Sequence, residues 1–226
     1  QKHSDHEILS RLGIEQLNEM QETAYKTIAT TKDTLLLAPT GSGKTLGFLL
    51  PVLKGLSNTK TGVQTLILVP SRELALQIEQ VWKKMSTGFK VNSCYGGHLL
   101  ETEINNLATP PALLIGTPGR IADHIRRGSF TPNDVTTLVL DEFDKSLALG
   151  FEEEMSFIIS ELKKLTKKVL VSATTAIEIP EFTGVIDPVV LDFISEKSIS
   201  SDLDIRLVHS PQKDKVDILT RLLSHI

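Results

Sequence analysis

The stretch Ala38-Pro39-Thr40-Gly41-Ser42-Gly43-Lys44-Thr45 decides the fold of this chain. It follows the apolar run Leu35–Leu37 and precedes a helix-like run from Leu46 to Leu53. A strand, a glycine-rich loop that ends in Lys-Thr, and a helix, in that order, form a phosphate-binding P-loop. Glycines let the backbone turn tightly and aim its N–H groups at an anion in front of the helix.

The P-loop prediction gives its residues separate roles. The backbone N–H groups over Thr40–Gly43 form a concave anion site. The Lys44 ammonium group reaches the β- and γ-phosphates of a nucleotide, and the Thr45 hydroxyl binds Mg²⁺. The alternative is a glycine-rich turn with a solvated lysine. The strand before the loop and the helix after it favour the nucleotide site.

A second set of polar residues follows another apolar run. Thr137–Leu140 is succeeded by Asp141-Glu142-Phe143-Asp144, which places carboxylates at the carboxyl edge of a buried sheet. Asp141 is the expected partner of Mg²⁺, through water. Glu142 is the expected group to orient or deprotonate an attacking water. Taken alone, the acidic pair is equally typical of an ordinary helix N-cap, and the upstream P-loop favours the catalytic interpretation.

Short apolar runs alternate with amphipathic stretches, which indicates an α/β fold with a mainly parallel sheet and helices on both faces. The predicted strands are Thr34–Leu37, Thr65–Val69, Val91–Tyr95, Ala112–Gly116, Thr137–Leu140, Lys168–Val171 and Pro188–Phe193. The predicted helices are Glu19–Ala29, Lys44–Leu53, Arg72–Met85, Arg120–Arg127, Glu152–Leu165 and Ala176–Thr183.

Composition bounds the class of protein. The chain has 226 residues, of which 40% are hydrophobic, enough for one large α/β domain. Its net charge of −4 excludes a global basic field, so any nucleic-acid binding must be local. Cys94 is the single cysteine, which excludes an internal disulfide and a cysteine-based zinc site. With no apolar run of membrane-spanning length and no signal-peptide pattern, we expect a cytoplasmic location.

The composition also predicts where domains begin and end. Residues 1–194 form the first domain, and the serine-rich stretch 195–203 is a linker. Residues 204–226 contain a predicted strand, Ile205–Val208, and a predicted amphipathic helix, Lys213–Leu223. One strand and one helix cannot bury a core alone, so we expect them to begin a truncated second domain. The first residue is Gln1 rather than Met, which fits a fragment.

Six short motifs follow one another along the chain: Ala38–Thr45, Pro70–Gln77, Gly96-Gly97, Thr117–Arg120, Asp141–Asp144 and Ser172–Thr174. Together with the upstream Leu12-Gly13-Ile14 and Gln21, they resemble the DEAD-box ATP-dependent RNA helicases. The resemblance covers nearly the whole chain as the first RecA-like domain, a P-loop NTPase fold, with residues 1–29 as the Q-motif region. Each short motif is weak alone, and six in the family's order are a strong signal.

The resemblance implies ATP and Mg²⁺ as cofactors and RNA as the partner. It implies catalytic roles for Lys44, Asp141 and Glu142, and nucleotide contacts from Gln21, Thr40, Gly41, Ser42, Gly43, Lys44 and Thr45, with Gln21 reading the adenine edge. It implies sequence-independent contacts to the RNA sugar–phosphate backbone from Arg72, Gly97, Thr117 and Arg120. It implies that domain closure is coupled to the nucleotide through Asp144, Ser172 and Thr174.

The residues outside the P-loop keep simpler alternatives when they are considered alone. Arg72 could be a helix-surface arginine paired with Glu73, and the glycine pair could be plain turn chemistry. The Ser172–Thr174 segment could cap a following helix. Gln21 could be a surface glutamine on a polar helix.

The sequence departs from the family pattern at several positions. Leu17-Asn18 replaces the usual Pro-Thr before Gln21, and the third residue of the acidic box is Phe143, which we expect to pack against its neighbours. The arginine-rich motif of the second domain, which the family uses for the transition state, has no counterpart. The leading hypothesis is therefore the ATP-binding half of an RNA-dependent ATPase that separates short duplexes. The alternative is a nucleotide-dependent protein- or RNA-binding clamp without unwinding.

Overall fold

Alternating strands and helices build a parallel sheet in the computed structural model, which describes residues 4–175, 178–194, 208–209 and 215–224. The strands are Asp33–Leu37 (β1), Thr65–Leu68 (β2), Val91–Cys94 (β3), Leu113–Gly116 (β4), Thr137–Leu140 (β5), Lys167–Ser172 (β6) and Val189–Asp192 (β7). The helices are Asp5–Leu12 (α1), Glu19–Thr30 (α2), Lys44–Gly55 (α3), Arg72–Met85 (α4), Leu100–Leu107 (α5), Pro118–Arg126 (α6), Phe143–Ala148 (α7), Glu152–Glu161 (α8) and Val216–Leu223 (α9).

The seven strands form one sheet in the order β3-β4-β2-β5-β6-β1-β7. Every neighbouring pair is parallel, so all seven carboxyl ends lie along the same edge. The β6 strand, which leads into Ser172, lies between the P-loop strand β1 and the Asp141 strand β5. The predicted α/β fold with a parallel sheet is confirmed.

Successive side chains of the central strands enter two different cores. On β1, Leu36 belongs to the core formed with α1 to α4, whereas Leu35 and Leu37 belong to the core formed with α5 to α8. This alternation follows from the two-residue period of a strand. Both faces are therefore covered, which explains why these strands are nearly continuous apolar runs.

The predicted helix over Ala176–Thr183 is wrong in the part that the structure describes. Residues 178–180 have no regular structure, and a single 3₁₀ turn covers Glu181–Thr183. Pro180 lacks a backbone N–H, and it disfavours helical backbone at the residue before it, so the apolar spacing alone was misleading. Helices α1, α5 and α7, which the sequence analysis did not predict, are eight residues long or shorter.

The chain divides into two compact units, residues 1–196 and 197–226. In the second unit, α9 lies within the predicted helix Lys213–Leu223. The predicted linker 195–203 and residues 205–207 of the predicted strand Ile205–Val208 lie outside the described residues, and Val208 is not in a strand. Among the helices that the structure describes, none combines the length and the apolar character needed to cross a membrane.

A close backbone approach at the end of β4 brings together the segments that follow β3 and β4. A Cβ atom on Gly116 would lie 2.5 Å from the Cys94 carbonyl oxygen and 2.6 Å from Ile121 Cδ1. Only glycine therefore fits at this point without moving β3 or α6.

We expect Gly116→Ala to lower the free energy of unfolding by about 1–3 kcal/mol, because overpacking displaces a strand backbone or a core side chain. Urea unfolding followed by circular dichroism measures the change. Gly96→Ala is the matched control, since no atom lies within 4 Å of its added Cβ and its φ is not positive. Equal stability of the two variants would show that the close approach is not a constraint.

Candidate nucleotide-binding site

Six of the seven strands end in two groups of functional segments at the carboxyl edge of the sheet, and the three strands of each group are adjacent. The loops after β1, β5 and β6 carry the P-loop, the acidic box 141–144 and the Ser172–Thr174 segment. The loops after β2, β3 and β4 carry Arg72, Gly97 and the segment 117–120. The strand order thus separates the residues predicted to bind nucleotide from those predicted to bind RNA.

The P-loop has the backbone conformation that its glycines permit. Gly41 and Gly43 have φ values of 81° and 82°, in the left-handed region that favours glycine. Gly43 caps α3 without a side chain, so Lys44 is the first residue of that helix and Thr45 the second. The first N–H groups of a helix have no carbonyl partner within it, and a helix start of this kind is a ready-made site for phosphate.

Asn18, the N-cap of α2, and Gln21 of that helix hold the P-loop in place. Asn18 caps α2 by accepting from Gln21 N at 2.9 Å, and its Nδ2 donates to the Ser42 carbonyl oxygen at 3.1 Å. Gln21 Oε1 accepts from Asn18 N at 3.0 Å, and its Nε2 donates to the Gly43 carbonyl oxygen at 3.1 Å. A Cβ on Gly43 would lie 2.4 Å from that Nε2. Asn18 therefore supplies a working cap, while the adenine-reading role of Gln21 stays a prediction.

Lys44 faces two of the three carboxylates of the acidic box, those of Asp141 and Glu142. Its side chain is 8% exposed, and Nζ lies 3.7 Å from Glu142 Oε1. Asp141 is fully buried, and burial raises the pKa of its carboxyl to about 6, although the charge of Lys44 opposes that shift. Asp141 Oδ1 accepts from Glu142 N at 2.9 Å. The Asp141 carboxyl group therefore holds its proton more tightly in the fold than it would in water.

Glu142 is fixed by its backbone and by a second lysine. Its φ of 48° and ψ of 46° are left-handed, a conformation that is uncommon for residues other than glycine and that clusters at functional sites. Its Oε2 accepts from Lys145 Nζ at 2.8 Å, while Oε1 faces Lys44. Each carboxylate oxygen of Glu142 thus faces a different ammonium group.

Four buried polar atoms of this half have no hydrogen-bond partner among the described residues. They are Ser42 Oγ, Lys44 Nζ, Asp141 Oδ2 and Asp144 Oδ1. Buried polar groups are normally paired, so their clustering calls for an external partner. The two donors suit phosphate oxygens, and the two carboxylate oxygens suit Mg²⁺ or its water ligands. The residues present fit a magnesium–nucleotide complex.

The predicted coupling residues lie together at the end of β6. Ser172 Oγ accepts from Thr174 N at 3.0 Å and donates to the Thr174 carbonyl oxygen at 3.0 Å. Thr174 Oγ1 donates to Asp144 Oδ2 at 3.4 Å. The turn after β6 is therefore in contact with the acidic box, although its role in domain closure stays a prediction.

In the other half of the edge, the predicted RNA-binding residues differ in whether their polar groups are bonded to the protein. Arg72 is exposed at the start of α4, with its guanidinium 5.2 Å from the centre of the Tyr95 ring. Gly97 is exposed in a turn with φ of 81°, and Thr117 caps α6 without a side-chain hydrogen bond. Arg120 instead donates inward, from Nε to the Tyr95 carbonyl oxygen at 3.2 Å and from Nη2 to the His98 carbonyl oxygen at 2.8 Å.

Sequence reasoning did not find four residues that shape these sites: Asn18, Lys145, Glu103 and His124. The spacing Asn-x-x-Gln over residues 18–21 is close to a capping box and could have identified Asn18. The three-residue spacing of Glu142 and Lys145 could have suggested their ion pair. Glu103 and His124 are far apart in the sequence, and no local pattern joins them.

The fold and the site define a RecA-like P-loop NTPase domain, with helices on both faces of a parallel sheet and phosphate-binding and acidic loops at its carboxyl edge. The chain belongs to the DEAD/DEAH box helicase family, because that family's model matches residues 18–182.

Named relatives agree with this assignment. The ATP-dependent RNA helicase CshA of Limosilactobacillus reuteri is 35% identical over 221 residues, which cover 95% of this chain and 44% of the relative. The ATP-dependent RNA helicase DeaD of Escherichia coli is 36% identical over 171 residues, which cover 74% of this chain and 27% of that protein. The chain thus spans less than half the length of these curated relatives.

Solved structures show the same fold. The yeast DEAD-box splicing factor Prp28 superimposes with a TM-score of 0.68 at 31% identity, covering 76% of this chain and 43% of that chain. A hypothetical ATP-dependent RNA helicase from Sulfolobus tokodaii gives a TM-score of 0.71 at 24% identity, covering 84% of this chain and 57% of that chain. The second likeness shows the fold alone.

We expect Asp141→Asn to stabilise the nucleotide-free chain at about pH 7.5 by about 1–3 kcal/mol. The folded-state pKa of about 6 exceeds the unfolded value of about 3.9, so the native state holds the proton more tightly. The free energy of unfolding of the wild type therefore falls as pH rises from about 4 to about 6, and it is constant above that range. Asparagine cannot ionise, so its advantage grows over the same interval.

Urea unfolding in a metal chelator at several pH values measures this difference. Asp187→Asn is the control, because it removes an exposed carboxylate and both residue types tolerate the left-handed backbone found there. A difference between Asp141→Asn and the wild type that does not change with pH would contradict the explanation by burial.

Proposed function

We propose that this chain is the ATP-binding half of an RNA-dependent ATPase that remodels or unwinds short RNA duplexes. The observation that carries the proposal is the cluster of buried Lys44, Asp141 and Asp144 atoms that have no hydrogen-bond partner among the described residues. This cluster lies at a P-loop, beside a second half of the same sheet edge that exposes Arg72 and Gly97. Family membership and the names of the relatives support it.

The proposed chemistry uses the side chains in the positions described above. Lys44 and the N–H groups of the P-loop would hold the β- and γ-phosphates, and Thr45 and Asp141 would hold Mg²⁺. Bound Mg²⁺ would neutralise charge that develops on the transferring phosphoryl group. Glu142 would orient the attacking water and accept its proton. Release of Lys44 from Glu142 to the phosphates would free Oε1 for that task.

The proposed adenine contact belongs to Gln21. Its Oε1 and Nε2 each have one partner in the chain, and a side-chain amide can make more than two hydrogen bonds. The amide could therefore accept from and donate to an adenine edge while it keeps the P-loop in place. This dual contact would link the identity of the base to the geometry of the phosphate site.

RNA is proposed to cross the half of the edge that follows β2, β3 and β4. Backbone N–H groups at the starts of α4 and α6 and in the turn at Gly97 would bind phosphate, and Arg72 would add an exposed charge. Contacts of this kind follow a strand without reading its sequence. They also need no overall basic surface, which agrees with the net charge of −4.

A second RecA-like domain is proposed to complete the active site. The relatives are more than twice as long as the segments that match this chain. Lys44 faces the γ-phosphate position from one side only, and an arginine from across the cleft is worth about 10³–10⁵ in rate in such enzymes. We therefore propose that this domain binds nucleotide and that turnover needs its partner domain. A cytoplasmic location is part of the same proposal.

A nucleotide-dependent clamp is the second candidate function. The same contacts would let ATP hold RNA or a protein without separating strands. The ion pairs from Lys145 and Lys44 to Glu142 favour this alternative, since both carboxylate oxygens of the expected base already face an ammonium group.

We expect Lys44→Ala to lose more than about 2 kcal/mol of binding free energy for Mg-ATP and Mg-ADP, or roughly thirtyfold in affinity. The change removes the ammonium group that faces the acidic box and the phosphate site. Isothermal titration calorimetry on residues 1–226 measures both nucleotides. Lys26→Ala is the control, since Lys26 is an exposed residue of α2 paired with Glu22. Equal affinities of wild type and Lys44→Ala would remove Lys44 from the site.

We expect RNA-stimulated ATP hydrolysis when this chain is joined to its second domain, and turnover slower by about 10³–10⁵ from residues 1–226 alone. In the joined protein, Glu142→Gln should lower kcat by about 10²–10⁴ and should retain RNA in the presence of ATP. Substantial turnover by residues 1–226 alone would contradict the two-domain mechanism. Nucleotide-dependent RNA retention without strand separation would favour the clamp.

A further inference from the structure

A carboxylate buried outside the nucleotide site connects the two segments that are proposed to bind RNA. Glu103 of α5 has a side chain that is 1% exposed, and its Oε1 accepts from Tyr95 N at 3.1 Å and from His98 Nδ1 at 3.2 Å. Its Oε2 accepts from His124 Nε2 at 2.8 Å and lies 3.4 Å from Arg120 Nε. The Glu103 carboxylate therefore binds both the Gly96-Gly97 turn and α6.

The partners of Glu103 come from two different loops. Tyr95 and His98 flank the Gly96-Gly97 turn after β3, whereas Arg120 and His124 lie on α6 after β4. Arg120 joins the same two segments a second time, by donating to the carbonyl oxygens of Tyr95 and His98. The turn and the helix are thus fixed relative to each other by a closed network of charge-assisted hydrogen bonds.

This network occupies the side chain of Arg120. The side chain is 15% exposed, and its guanidinium has three partners on the protein at 2.8–3.4 Å. Breaking these contacts to reach a phosphate would leave a buried carboxylate and two carbonyl groups with fewer donors, which is costly. Arg72, by contrast, is exposed and has no comparable set of carbonyl partners among the described residues.

We propose that Glu103, Arg120 and His124 are positioning residues that fix the Gly96-Gly97 turn against the start of α6, and that Arg120 acts through this network rather than by touching RNA. The inference rests on the proposed function, because it takes the turn and the helix start as the surface that RNA phosphates bind. Phosphates along a strand are regularly spaced, so two backbone segments can bind neighbouring phosphates only when their separation is fixed.

A metal ion is a poorer interpretation of the same cluster. Cys94, Glu103 and His124 offer potential ligand atoms within 4.8 Å of one another. Burial raises the pKa of the Cys94 thiol to about 12, so it would have to lose a tightly held proton. The guanidinium of Arg120 already compensates Glu103 and would repel a cation. Hydrogen bonds from His124 and Tyr95 and the charge of Arg120 together outweigh burial and lower the pKa of Glu103, so the network is ionic without a metal.

The first test compares two glutamates on one helix. Glu103→Gln and Glu101→Gln both remove a negative charge from α5, and Glu101 is exposed. Electrostatics alone predicts that both variants bind RNA as tightly as the wild type or more tightly. We expect Glu101→Gln to follow that prediction, and Glu103→Gln to bind about three- to tenfold more weakly with Mg-ADP affinity unchanged. Fluorescence anisotropy with labelled oligouridine of about ten nucleotides measures RNA binding by residues 1–226.

The second test separates positioning from direct contact. On single-stranded RNA, each phosphate that a lysine or arginine neutralises adds about 0.7 to the slope of log affinity against log salt concentration. We expect Arg72→Ala to lower that slope by about this amount, and Arg120→Ala to weaken binding at an unchanged slope. Arg120→Lys should not restore affinity, because an ammonium group cannot bridge the Tyr95 and His98 carbonyl oxygens as the planar fork does.

The possible results distinguish a failure of the proposed RNA binding from a failure of the positioning role. Wild-type protein that does not bind RNA overturns the proposed function and the inference with it. Wild-type binding that Glu103→Gln leaves as tight as Glu101→Gln overturns the inference alone. A lower salt slope for Arg120→Ala, or rescue by Arg120→Lys, shows that Arg120 contacts phosphate and also overturns it.

Discussion

The attraction between the Lys44 ammonium group and the carboxylates of Asp141 and Glu142 is the interaction on which one half of the sheet edge depends, the half that follows β1, β5 and β6 and is proposed to bind nucleotide. A fully buried aspartate beside a second acid is unfavourable unless a positive charge faces it. Lys44 supplies that charge, yet the pKa of Asp141 still rises to about 6. A cation bound at Asp141 would therefore lower the free-energy cost of burying its carboxylate. A phosphate bound at Lys44 would give its ammonium group a hydrogen-bond partner.

The order of the strands turns this local arrangement into a two-part surface. Strands β5, β6 and β1 are consecutive in the sheet and end at the half that is proposed to bind nucleotide, whereas β3, β4 and β2 are consecutive and end at the half that is proposed to bind RNA. The two halves meet at the β2–β5 pair, whose hydrogen-bonded register runs from Thr65↔Thr137 to Leu68↔Leu140. A rigid pair of strands at this boundary fixes the distance between the two groups of loops.

Each half is supported by side chains that bind backbone groups of its loops. Asn18 and Gln21 donate to carbonyl groups of the P-loop, and Glu103 and Arg120 bind the backbone around the Gly96-Gly97 turn. Loops that bind phosphate through their N–H groups need such support, because a small error in the backbone position weakens every contact at once. The departure of Leu17-Asn18 from the family pattern keeps this support, since Asn18 caps α2 and reaches Ser42.

The sequence by itself determined the α/β class, the P-loop, the acidic box and most strands, because two-residue and helical periodicities and glycine-rich turns are local features. It also predicted that Phe143 packs against its neighbours, and the side chain is fully buried. It failed over residues 178–183, where Pro180 overrides apolar spacing. Only the tertiary structure decided that Glu103 joins His98 to His124, that Arg120 points inward, and that Glu142 faces Lys44. Those contacts depend on strand order and on side-chain direction, which no local pattern encodes.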